Sequence, residues 1–143
     1  MSLFNRPSVN QLNLGLTILR SVVGTIFVAH GAQKLFVFGL AGVSGAFGEM
    51  GIPAPGVVGP LVALVEFFGG LALIVGLLTR LAAAGLAVTM LGAILFVHLS
   101  GGLFLPSGSE FALSLLGSVT LLALAGAGAF SLDAVIGRQR AGA

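Results

Sequence analysis

Four apolar stretches, each about twenty residues long and separated by turn-forming residues, leave this chain few ways to fold; they fall at about 12–36, 60–78, 81–99 and 111–130. A helix rises about 1.5 Å per residue, so roughly twenty residues cross about 30 Å of hydrocarbon. Only 7% of the 143 residues are charged and 57% are hydrophobic, which leaves too little polar surface to cover a water-soluble domain. The implied fold class is all-α: a polytopic membrane protein in which one domain, residues 1–143, forms a four-transmembrane-helix bundle. Between the first two spans, glycine-spaced residues at about 39–56 read as a short interfacial segment, with Phe38, Phe47 and Met50 dipping toward the headgroups.

The same composition removes several functions. With no cysteine, this chain alone offers no disulfide, thiolate metal site, iron–sulfur ligation or thiol redox chemistry. The pI of about 10.6 reflects a net charge of only +2 from singly scattered residues, so nucleic acid is not an expected partner. Trp and Tyr are absent, and eleven Phe supply the aromatic surface. Ala29-His-Gly-Ala32 after an apolar run only faintly resembles a cleavable leader, and the first stretch is read as a retained span.

Turn chemistry sets the expected boundaries. Pro53, Pro55 and Pro60 precede the second span, with Pro60 expected in its first turn, where the missing N–H is not needed. Thr79 is the expected N-cap of the third span, and Ser107-Gly-Ser-Glu110 has the spacing of a capping box opening the fourth. Arg6, Arg80, Arg138 and Arg140 flank one set of span ends, while Lys34, Glu49 and Glu110 lie at the other. The positive-inside rule then places both termini and the Thr79 turn in the cytoplasm. Glycines within the spans suit close helix approach, since small residues bring membrane helices together.

Ionisable groups inside a span are costly unless paired or hydrated, so Arg20, His30, Glu66 and His98 carry the most information. On the first helix Arg20, Gly24, Phe27, Gly31 and Lys34 fall on one stripe, with His30 on an adjacent face. Counting from the cytoplasmic boundary places Arg20 shallowest, Glu66 deeper, and the two histidines level in the outer half. Side chains lean toward the N-terminus of their own helix, so Arg20 leans away from Glu66 while His30 and Glu66 lean together. The expected site is a polar cluster of His30, Glu66 and His98, with Lys34 and Glu110 at its mouth and Arg20 beneath. Plainer roles stand beside this one. Arg20 can snorkel to the headgroups, His30 and Lys34 can sit at the interface, Glu66 can belong to a structural buried pair, and Glu110 can simply cap its helix. Two level histidines could hold a haem, or with Glu66 a metal, but no further motif supports either. No metal ligand and no catalytic role is assigned. Phosphate loops, dinucleotide fingerprints and Ser-His-Asp order are absent.

At these residues the chain resembles the DoxX family of small bacterial membrane proteins. The matching segments are Arg20 with Val28-Ala-His-Gly-Ala-Gln-Lys34, then Phe47-Gly-Glu-Met-Gly-Ile-Pro-Ala-Pro55, Glu66-Phe-Phe-Gly-Gly70 and Gly76-Leu-Leu-Thr-Arg80. His98, Phe104, Gly108-Ser-Glu110, Gly126-Ala-Gly128 and Ser131-Leu-Asp133 follow in order. Ser109 departs from the Gly-Gly that many relatives carry before the acid, a change that leaves the turn intact. The resemblance implies a four-helix bundle in the bacterial inner membrane and an association with redox metabolism. Relatives include a small subunit of thiosulfate:quinone oxidoreductase and a membrane component linked to superoxide dismutase and a sulfurtransferase. The family's polar signature falls on Arg20, His30, Lys34, Glu66, His98 and Glu110.

The leading expectation is an accessory membrane subunit of a quinone- or thiol-linked redox system, offering a polar pocket without its own electron carrier. No cofactor is expected to belong to the chain; a bound quinone or lipid is the occupant such a pocket would take. The alternatives are a structural or assembly subunit, whose glycine-rich faces dock other membrane subunits or a second copy, and a small-molecule transporter.

Overall fold

The computed structural model describes residues 6–141. The outermost residues, on which the expected sidedness of both termini bears, lie outside that range. The first helix opens on a reciprocal capping box: Ser8 Oγ accepts from the Gln11 backbone N–H at 3.2 Å, and Gln11 Oε1 accepts from the Ser8 N–H at 2.7 Å. Helix α1 (Val9–Ala32) continues through a π-helical turn, Gln33–Phe38, and the chain then enters α2 (Gly39–Glu49). Gly39 makes that break at φ +69°, a conformation open to a residue without Cβ.

Helix α3 (Pro55–Val75) begins earlier than the expected 60–78, because Pro55 takes the first helical position with its fixed φ. Pro60 is therefore inside the helix rather than in its first turn. At the other end Gly76 stops α3 at φ +71°, and the Leu77 N–H closes back on Ala72 O at 2.9 Å. Helix α4 (Thr79–Ala93) runs on through a second π-helical stretch, Ile94–His98, and a 3₁₀ turn, Leu99–Gly101. Thr79 is not its N-cap: the Asp133 carboxylate accepts the Leu78 and Thr79 N–H groups at 2.7 and 2.9 Å, leaving Thr79 buried as the first helical residue. The cap is supplied from 54 residues away, beyond the reach of any local motif.

Helix α5 (Glu110–Ala125) is five residues shorter at its end than the expected 111–130. Gly126 and Gly128, at φ +84° and +77°, terminate it. A further helix, α6 (Leu132–Ala141), carries Arg138 and Arg140 and was not expected.

Three runs, Val9–Glu49, Pro55–Val75 and Thr79–Gly101, are long and apolar enough to cross a membrane, and Glu110–Ala125 is apolar but shorter. The outward-facing side chains are apolar too, Val57, Leu81 and Leu124 among them, as a surface solvated by lipid requires. The chain is an all-helical membrane protein with no strand among the described residues. Its core gathers Val23 and Phe27 of α1, Leu73 of α3, Leu86 and Met90 of α4, and Leu115, Val119 and Leu122 of α5. The backbones of α1 and α3 approach closely at two levels: a Cβ added at Gly24 would lie 2.7 Å from Gly70 O, and one at Gly31 would lie closer still to the Phe67 N. Only glycine permits this crossing. α2 packs on the start of α3 through Val43 and Ser44 against Gly59, so the segment at 39–56 is in part a packed helix.

Candidate functional site

The expected stripe on α1 is the buried one: Arg20, Gly24, Phe27 and Gly31 face the bundle, with Lys34 one turn beyond. Each polar group on it meets a different partner. Arg20, only 4% exposed, sits at the α6 end of the bundle and donates to Leu73 O at 3.0 Å, and to Ile74 O and Phe130 O. Those are carbonyls of the last turn of α3 and of the loop before α6; Leu73 O is shared with the Gly76 N–H at 3.2 Å. Arg20 thus ties three segments together and makes no contact with Glu66.

Glu66 lies near the middle of α3, on the side of Arg20 toward the loop before α5, and is 4% exposed. Its Oε2 accepts a hydrogen bond from Lys34 Nζ at 2.6 Å, an ion pair whose lysine side chain is 20% and whose glutamate side chain is 5% exposed. The expectation that Glu66 pairs with His30 is therefore corrected. Lys34 stands on the same side of α1 as Gly31 and leans back toward its helix N-terminus, which brings the ammonium down to a carboxylate leaning up. The His30 ring makes no hydrogen bond to Glu66; its Nδ1 bonds Ile26 O of its own helix at 2.9 Å. Since a carbonyl only accepts, that Nδ1 carries the proton.

His98 closes the second π-helical stretch, and its Nδ1 lies 3.3 Å from Ser107 O in the loop above. Both π-helical stretches, one holding Lys34 and one ending on His98, are at this end of the bundle; such insertions in a helical ladder are frequent where a helix serves a site. Glu110 does not form the expected capping box with Ser107. Its Oε1 instead accepts the Leu105 N–H at 2.8 Å, and Ser109 Oγ donates to Gly102 O at 3.1 Å, so both are used in closing the loop before α5.

Two cavities meet at the Lys34–Glu66 pair. The larger, about 610 Å³, runs between α2, α3 and α4 past Phe47, Met50, Val62, Val88 and Phe96. The smaller, about 160 Å³, lies among α1, α4 and α5 and is lined by His30, Lys34, Glu66, His98, Met90 and Phe111. The structure thus brings His30, Lys34, Glu66 and His98 to one chamber, and leaves Arg20 and the Glu110 carboxylate to other tasks. No group of three His, Cys, Asp or Glu is arranged to hold a metal ion among the described residues. Phe47 and Met50, expected to face headgroups, line the larger cavity, and the apolar residues there carried no chemical signal in the sequence.

Residues 15–99 match the sequence model of the DoxX family, a span that holds Arg20, His30, Lys34, Glu66 and His98. The chain belongs to the DoxX family. A Haemophilus influenzae protein named only as uncharacterized is 38% identical over 122 residues, 82% of this chain and 87% of that protein. The Bacillus subtilis protein named "Putative oxidoreductase CatD" is 32% identical over 123 residues, 86% of this chain and 87% of that relative. The Escherichia coli "Inner membrane protein YqjF" is 33% identical over 133 residues, covering 89% and 95% of the two chains. No solved structure matches the chain.

Proposed function

We propose that this DoxX-family protein is an accessory inner-membrane subunit of a quinone- or thiol-linked redox system, offering a ligand pocket but no electron carrier of its own. The observation that carries the reading is the cavity of about 610 Å³ between α2, α3 and α4, apolar along its length and closed at one end by Lys34 and Glu66. Ligand pockets of about 300–1,000 Å³ typically combine apolar walls with a few placed polar groups. An isoprenoid quinone has that form, a long apolar tail behind a ring with carbonyl oxygens. Lys34 Nζ has three donors, of which Glu66 takes one, and another would meet a ring carbonyl. When bound, the quinone supplies the electron-accepting ring; the chain's residues hold it and exclude water from it. The name of the Bacillus subtilis relative, "Putative oxidoreductase CatD", supports the redox association.

The arginines at the α6 end, Arg80, Arg138 and Arg140, favour a cytoplasmic location for that end and an outward location for the loop before α5. A structural or assembly role is the second reading. It is favoured by the outer face of α5, where Gly117 has open space beside Ser114 and Ser118, whose hydroxyls bond back to their own helix.

The test is titration of the protein in lipid nanodiscs with a short-chain benzoquinone, followed by calorimetry. Saturable binding to the wild type, lost in Gly92→Phe, is expected, because a Cβ at Gly92 meets nothing within 4 Å and a ring there would fill the cavity. Absence of saturable binding to the wild type would remove the quinone reading and leave the assembly role.

A further inference from the structure

We infer that the smaller cavity is a hydrated proton path joining the loop before α5 to Glu66, so that the Lys34–Glu66 pair can be opened by a proton arriving from one side of the membrane only. The inference concerns the polar wall of the pocket proposed above, and its ligand-free test does not depend on what that pocket binds.

Three observations lead to it. The first is shape: two histidines, a lysine and a glutamate line a chamber of about 160 Å³, space for several water molecules, each taking about 30 Å³ of liquid. Intramembrane chains of His and Glu around such a chamber are the usual means of moving protons. The second is tautomer. Both histidines have Nδ1 against a backbone carbonyl, Ile26 O and Ser107 O, which leaves the Nε2 of each neutral ring as a lone-pair acceptor. Each ring can take a proton at Nε2 and give it back without losing the carbonyl contact that holds it. The third is connectivity: Ser107, the carbonyl partner of His98, belongs to the exposed loop, whereas Glu66 is shared by both cavities.

The groups around Glu66 give the path one direction. Lys34, from the π-helical turn after α1, is its ion-pair partner; His30 of α1 and His98 at the end of α4 share its chamber. From α5, Glu110 has its carboxylate turned to the Leu105 N–H, and from α2, Glu49 is exposed. Toward the α6 end the next charge is Arg20, which is committed to backbone carbonyls. No titratable group lies between Glu66 and Arg20 on the buried face of α3, where Gly70 and Leu73 follow Glu66. A proton therefore moves from loop water to histidine Nε2, and from there, directly or through water, to the Glu66 carboxylate. The carboxylate becomes a neutral acid, the Lys34 ammonium loses its counter-charge, and its N–H groups are freed toward the larger cavity. One proton is taken up, with no change of oxidation state.

The experiment is an acid jump on the protein in nanodiscs without added quinone, followed by time-resolved infrared absorption of the carboxylic acid C=O, with Glu66→Gln identifying the Glu66 band. A band that grows in the wild type and is slowed roughly a hundredfold in His30→Phe/His98→Phe is expected, the scale on which positioned acid–base groups act. Ala112→Leu, which plugs the same chamber from α5 and keeps both histidines, is expected to slow it as well, and covers the case in which the double variant does not fold. Gly92→Phe, in the larger cavity, is expected to leave the rate unchanged. No Glu66 band in the wild type, an unchanged rate in both chamber variants, or slowing in Gly92→Phe alone would overturn the inference. Quinone binding, measured separately, can fail while this result stands, and the reverse.

Discussion

Removing the lysine of the Lys34–Glu66 pair and removing its glutamate are expected to have unequal effects. Lys34→Met leaves a carboxylate whose side chain is 5% exposed without a counter-charge, and breaking a buried pair in this way costs about 3 kcal/mol. Glu66→Gln leaves an ammonium that is 20% exposed on a flexible stem close to its helix end, where it can reach water, so a loss of about 1 kcal/mol is expected. In Lys34→Met/Glu66→Gln no charge is stranded and the remaining amide is the only polar group to accommodate, again about 1 kcal/mol. The pair is therefore coupled by about 3 kcal/mol, well above the roughly 0.6 kcal/mol average for polar pairs between membrane helices. Equilibrium unfolding in mixed micelles of rising sodium dodecyl sulfate fraction, followed by circular dichroism, measures all four proteins. A His30→Ala/Glu66→Gln cycle should be near additive, because the His30 ring bonds its own helix at Ile26. The reasoning fails if the histidine cycle couples more strongly than the lysine cycle, or if the double variant is as unstable as Lys34→Met.

Three further outcomes follow from the packing. Gly70→Val should prevent stable folding, because even a Cβ there comes within 2.7 Å of Gly24 O; Gly117→Ala, with open space around it, should change the unfolding midpoint little. Asp133→Ala strips the two N–H groups at the start of α4 of their acceptor and should cost about 1–2 kcal/mol in the same titration. A single cysteine placed at Ser107 should react with an impermeant maleimide on intact cells while one at Arg138 should not; the opposite pattern would reverse the orientation.

How far the sequence led depends on the range of each signal. Arg20, Gly24, Phe27 and Gly31 follow a helical period, and a periodic stripe can be read without a neighbour; all four are buried. Arg20 was also correctly separated from Glu66, because lean direction is a property of a single helix. The partner of Glu66 is legible in the same stripe, which carries Lys34 after Gly31 and sets His30 on an adjacent face; the expectation of His30 rests on depth and lean, and a flexible lysine stem spans the difference in depth. Asp133 illustrates the limit of such signals. Its carboxylate caps a helix 54 residues earlier, whereas the local sequence offers only Thr79, the nearest polar residue. The larger cavity is lined by Val, Leu and Phe, which in a membrane protein look the same whether they face lipid, core or ligand.

The brevity of α5 has a consequence for the surrounding bilayer. Sixteen residues at about 1.5 Å give about 24 Å, some 6 Å less than a typical hydrocarbon thickness. Part of the deficit is met by the loop ahead of it, where Leu103, Phe104 and Leu105 are 49%, 74% and 56% exposed and extend the apolar surface beyond the helix end. The remainder falls on the lipid, which thins beside α5 at a modest cost per ångström of mismatch. The loop bearing Ser107 consequently floats at the acyl–headgroup boundary, and its height follows the local lipid. The 3.3 Å contact between Ser107 O and His98 Nδ1 ties that loop to the polar chamber, so the depth at which the loop sits in the bilayer is also the depth of the chamber's mouth.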